Sequence, residues 1–291
     1  MDYAMFCRWC EAESTSQIGW FGQYINAGPD MLHYVERGSG TPLVLVHGFL
    51  EWSYTWHHNV DTLAAHARVL APDLRGYGLS SKNKVLGHSL SDQAEVLRAF
   101  LDAKGVERAI LCGHSMGGEV VLRFALRWPE RVQALILVAS SGYLRPQRRT
   151  LHELVLRMPG VSEAALRAVM LNRSWVTRAL AGAFASPEYV TPAEVDAYLL
   201  PARAPGAGGA LKRILRDADF GHFAERLRDV QMPALLIWGT DDQVVPLAHG
   251  RRLAEELHGR LVTFEGCGHL PYAERPEAFH QVVIPFVTEH A

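Results

Sequence analysis

From residue 22 onward, short runs of Val, Ile and Leu alternate with longer stretches whose apolar residues recur at helical spacing. The runs predict strands at 23–27, 32–37, 43–47, 69–72, 109–113, 134–139, 234–239 and 261–265. From the third onward they are almost entirely apolar, as strands buried on both faces must be. Between them, residues 53–66, 90–103, 116–128, 246–258 and 276–287 carry helical periodicity. A Gly28-Pro29-Asp30 turn makes the first two strands a hairpin. The expected fold class is therefore α/β, a mostly parallel central sheet of about eight strands with flanking helices.

Between Gly142 and Arg228 this alternation stops. Prolines at 146, 159, 187, 192, 201 and 205 break a series of short helical segments, among them 164–171, 175–184 and 193–199. The pattern predicts a helical lid inserted at residues 142–228, a core formed by 21–141 and 229–291, and a flexible extension over 1–20. The stretch 204–210, APGAGGA, reads as a loop because its glycines are poor helix formers, serving either as a lid hinge or as a plain connector.

Composition narrows the partners. With 29 basic and 31 acidic residues the formal net charge is −2, so no polybasic stripe points to nucleic acid or an anionic membrane. Small neutral or apolar molecules fit better, and the composition is compatible with a homo-oligomer. No run reaches the roughly 18 to 20 apolar residues of a membrane span. Four scattered cysteines do not form a disulfide framework, and the amino-terminal residues do not read as a secretory signal, so a cytoplasmic setting is expected. Cys7 and Cys10 form one CxxC without further ligands beside it, so no metal is expected.

The chemistry is announced at Gly113-His114-Ser115-Met116-Gly117, which follows an apolar strand and opens a helix. In that setting G-x-S-x-G places Ser115 on a tight strand-to-helix turn with its hydroxyl raised above the sheet, and the glycines let the backbone approach its neighbours. The alternative is a serine that merely caps the helix. His114 is read as a packing residue, since adjacent side chains in such a turn point apart.

Three further motifs join this one in order: His47-Gly48-Phe49, Asp73 to Ser80 (DLRGYGLS), and the pair WGTDD and GCGH near the end. With them the chain from residue 22 resembles the α/β-hydrolase fold family, especially its lid-bearing esterases and epoxide-hydrolase-like members. The resemblance implies the order serine, acid, histidine. It makes His269 the base, in the glycine-containing loop after the last strand, and Asp242 the acid, three positions after Gly239, with Asp241 a solvated turn residue. His249, His258, His280 and His290 are expected to be exposed, His47 and Glu274 structural, and Glu119 to face out of its helix. Backbone amides of Met116 and Phe49 are the implied oxyanion donors. Trp52 and Trp56 are candidates for the pocket, although an aromatic core suits them equally, and Leu270, beside the base, is a third. The lid aromatics Trp175, Phe184, Tyr189 and Tyr198 suit either pocket or packing.

A serine at the nucleophile position argues against epoxide or haloalkane chemistry, because its alkylation would leave an ether that water does not readily cleave. Acylation leaves a hydrolysable ester. The expected function is cofactor-free hydrolysis of a small, apolar carboxylic ester. Carbon–carbon bond hydrolysis, perhydrolysis and acyl transfer share the same residues. The carbon–carbon reading is weakened by Leu270, where ring-cleavage hydrolases usually carry Trp. A ligand-sensing protein that retains the fold is the alternative of another class.

Overall fold

The structure is a computed structural model and describes residues 19–20, 22–142, 162–221 and 224–291. Cys7, Cys10 and the first part of the expected insertion lie outside these residues. Eight strands form one sheet: β1 (Gln23–Ala27), β2 (Asp30–Arg37), β3 (Pro42–Val46), β4 (Arg68–Pro72), β5 (Ala109–His114), β6 (Val132–Val138), β7 (Ala234–Gly239) and β8 (Arg260–Phe264). Their spatial order is β1-β2-β4-β3-β5-β6-β7-β8. β1 pairs with β2, and β2 with β4, antiparallel; every other pairing is parallel.

Among the described residues the α-helices are α1 (Val60–Ala64), α2 (Leu90–Ala103), α3 (Met116–Arg127), α4 (Glu163–Met170), α5 (Arg173–Ala183), α6 (Pro192–Arg203), α7 (Ala207–Asp217), α8 (Leu247–Leu257), α9 (Pro271–Glu274) and α10 (Pro276–Glu289). Residues on alternate sides of one strand enter different cores: Val44 and Val46 join one buried cluster, Leu43 and Leu45 the other. That division explains why β3 to β7 read as unbroken apolar runs. The parallel pairing turns the carboxyl ends of β3, β5, β7 and β8 toward one edge, where ligand sites of such sheets form.

Two expectations about elements need correction. Residues 53–66 are not one helix: a 3-10 turn at Ser53–Trp56 precedes α1. Tyr54, Thr55 and Trp56 are poor helix formers, and the break is tied down where Asn59 Nδ2 donates to the Tyr272 carbonyl at 3.1 Å. The stretch 204–210 is not wholly a loop, because Ala207 to Ala210 open α7. Here the glycines serve packing. A side chain on Gly208 would run into the carbonyl of Glu163, and one on Gly209 into its carboxylate, so both allow α7 to press against the start of α4.

Candidate active site

Ser115 links β5 to α3 with φ 50° and ψ −115°, a conformation that costs an L-residue on the order of 1–3 kcal/mol. The surrounding backbone holds it there. The Ser115 amide donates to Val138 O at 2.9 Å, and its carbonyl accepts from the amides of Gly118 and Ser141, both at 3.0 Å. Side chains at Gly113 or Gly117 would collide with the Gly117 backbone or with Val46 and His47 carbonyls, so both positions require glycine. The turn puts Ser115 in the wall of a cavity of about 260 Å³. Met116 supplies the first amide of α3, which has no partner within the helix.

His269 lines the same cavity. Its Nδ1 lies 2.8 Å from Asp242 Oδ2, and the other carboxylate oxygen accepts from the amides of Val244 and Val245, each at 2.8 Å. The loop is fixed from both sides: the His269 amide donates to Ala183 O at 2.8 Å, and its carbonyl lies 2.9 Å from His114 Nε2. Burial lowers the pKa of the His269 imidazole, and Asp242 only partly opposes it. Asp242 and His269 are each about 5% exposed. Asp241, by contrast, is exposed. Phe49 lies in the cavity wall just after β3, next to Leu50, whose φ of 61° turns the chain.

The rest of the wall is mainly apolar, with Met170, Val176, Leu180 and Leu270 joined by Trp175 and Tyr198. Trp52 and Trp56 do not reach it. Both are essentially fully buried, and Trp56 packs on Tyr272 with ring centroids 4.3 Å apart, because indoles of that size are better shielded within the core than at a cavity mouth. Phe184 and Tyr189 line a smaller neighbouring pocket.

Glu51 was not anticipated as a wall residue. Its Oε2 accepts from the Gly48 amide at 2.7 Å and lies 3.0 Å from His114 Nδ1. Burial alone would raise its pKa, but His114 and the Gly48 amide outweigh that and lower it. A carboxylate in the otherwise apolar GFLEW stretch was the available sequence signal. His114 is thus a buried polar link between Glu51 and the His269 loop rather than a simple packing residue.

Other expectations change as well. Glu119 faces inward, fully buried, where it pairs with Arg123 at 2.8 Å and accepts from the Gly221 amide at 2.9 Å. Its pKa is pushed up to about 7, chiefly by burial. Of the four histidines expected at the surface only His258 is exposed; His249, His280 and His290 are half-buried against their helices. Glu274 accepts from the amides of Gly268 and Ala185, and His47 Nε2 accepts from the Leu74 amide. Among the described residues, no helix is long and apolar enough to cross a membrane.

Comparison with known proteins identifies the frame around this site. Residues 41–276 match the model of the alpha/beta hydrolase fold. A dihydrolipoyllysine-residue acetyltransferase component of the acetoin cleaving system from Pseudomonas putida is 34% identical over 92% of this chain and 70% of its own. A 2-hydroxy-6-oxononadienedioate/2-hydroxy-6-oxononatrienedioate hydrolase from Paraburkholderia phymatum is 32% identical over 88% of this chain and 90% of its own. Among solved structures, a meta-cleavage product hydrolase from Pseudomonas fluorescens superimposes with a TM-score of 0.77 at 25% identity, covering 93% of this chain and 98% of that one.

Proposed function

The chain belongs to the α/β hydrolase fold family, and from that premise we propose that it hydrolyses small, apolar carboxylic esters through an acyl-enzyme on Ser115. The observation that carries this reading is the placement of Ser115 and the Asp242-paired His269 in one apolar cavity. In the proposed cycle His269 Nε2 takes the Ser115 hydroxyl proton as Oγ attacks the carbonyl carbon. Asp242 keeps the His269 proton on Nδ1 and stabilises the imidazolium. The amides of Met116 and Phe49 receive the oxyanion. His269 then returns the proton to the departing alcohol, and a water activated by the same base cleaves the acyl-enzyme. Helices α4 to α6 supply much of the cavity wall, and we read them as part of a lid.

A second reading, carbon–carbon bond hydrolysis, draws support from the ring-cleavage relatives. The cavity's charges favour the ester. The Paraburkholderia relative is named for a dioate, whose two carboxylates call for cationic partners. Among the described residues the one charged side chain in this wall is the Glu51 carboxylate, which would repel the carboxylates of a dioate.

Multiple-turnover hydrolysis of p-nitrophenyl esters of increasing acyl length, run beside Ser115→Ala, tests the proposal. Sustained turnover that falls by about 10⁴-fold or more in the variant is expected. Decay of a ring-cleavage dienoate in the absence of ester turnover would replace it with the carbon–carbon reading. Ligand retention without turnover would favour the sensor.

A further inference from the structure

Beside the main cavity, the chain after the Ser53–Trp56 turn sets two adjacent imidazoles against the first turn of α6. His57 Nε2 lies 3.2 Å from Glu194 Oε1, and the His57 and His58 rings stand 3.8 Å apart. One ligating atom from each of the three residues lies within 4.8 Å of the others. Donors bound to one zinc ion at about 2.0–2.2 Å stand on the order of 3.3–3.6 Å apart, so the three side chains would draw closer together around an ion.

Proton bookkeeping points the same way. His57 Nδ1 lies 3.0 Å from the Tyr54 carbonyl, which can only accept, so that nitrogen carries the proton. In the neutral ring Nε2 then presents a lone pair to a carboxylate oxygen. A metal ion can bridge a lone pair and a carboxylate oxygen that face one another in this way. Metal-bound histidines are commonly oriented by such a hydrogen bond from the other ring nitrogen to a carbonyl. Tyr54 adds further support: its ring stacks on His57 with centroids 4.3 Å apart, and its hydroxyl donates to Glu194 Oε1 at 3.5 Å.

We propose that His57, His58 and Glu194 form a binding site for a divalent transition metal of the zinc class. Two imidazoles and one carboxylate are the donor set such ions accept, with a position left for water. The side chains of His57 and Glu194 are 21% and 15% exposed, so an ion can enter from solvent yet be partly shielded. The ion would join α6, from the segment between β6 and β7, to the chain following β3. Tyr198 on α6 donates to Thr55 Oγ1 at 3.1 Å across the same seam and also lines the main cavity. The site is thus a clamp on one cavity wall, and it stands whether or not the ester reading does.

The test uses the untagged full chain, stripped with a chelator and titrated with zinc chloride by calorimetry, with melting followed in parallel. One equivalent should bind, and melting should rise by several degrees. In His58→Ala and Glu194→Gln, affinity should fall at least tenfold and the zinc-dependent rise should vanish. His58 is exposed, so its replacement leaves a folded chain, verified by circular dichroism. Absence of zinc binding, or binding unchanged in both variants, would overturn the site and leave His57 and Glu194 as a simple ion pair.

Discussion

Asp242 divides its carboxylate between two tasks: Oδ2 meets His269 Nδ1 at 2.8 Å, while Oδ1 is held by the amides of Val244 and Val245. In Asp242→Asn those amides would keep the amide oxygen, turning Nδ2 toward the imidazole as a donor. His269 would then carry its proton on Nε2, where it cannot accept one from Ser115. Turnover should drop by about 10⁴-fold with melting nearly unchanged, measured as kcat on the best p-nitrophenyl ester. A loss of less than tenfold would remove Asp242 from the proposed role.

The pH profile should follow His269. In the proposed cycle the neutral imidazole is the base, and burial lowers its pKa from the ordinary histidine value near 6.5. kcat/KM should therefore be level at neutral pH and fall about tenfold per unit below an apparent pKa under 6.5. A midpoint above 7 would contradict the environment described for this ring.

Two helical glycines should respond oppositely to alanine. Gly182, in α5, has open space where a Cβ would stand, and Gly182→Ala should stabilise the fold by about 0.5 kcal/mol. Gly208 faces the Glu163 backbone, and Gly208→Ala should destabilise it by about 1–3 kcal/mol despite alanine's better helix propensity. Urea midpoints of the two variants decide between packing and propensity.

Acid should weaken the fold through His88. This side chain is buried, and burial together with the charges of Arg213 and Arg75 pushes its pKa down to about 4. Between that value and the unfolded value near 6.5 the unfolded chain binds more protons. The associated stability is fully present above pH 6.5 and lost as pH falls through the window, on the order of 2 kcal/mol by pH 4.5. His88→Leu should flatten this part of the melting-versus-pH curve, and an unchanged slope would assign the acid sensitivity elsewhere.

Alternation and local turn chemistry made much of this protein legible in its sequence. The all-apolar runs marked β3 to β7 because both faces of the sheet are buried, and the glycines around Ser115 marked a turn that no other residue could make. The loop after β7 and the GCGH segment after β8 are legible through the motifs that carry the family resemblance, and the parallel strands deliver both to one edge. What the local pattern could not carry was the choice between equivalent burial sites. Trp52 and Trp56 have the size and polarity for either cavity or core, and only packing decides, of Trp56 against Tyr272 and of Trp52 against Tyr54 and His33. The glycines of α7 looked like loop residues until the backbone of Glu163 supplied a reason for their lack of side chains. Glu51 with His114, and His57 with Glu194, join residues far apart along the chain. Their partnerships exist because the sheet order and the docking of α6 bring them within hydrogen-bonding reach, where charge and proton placement become a property of the pair.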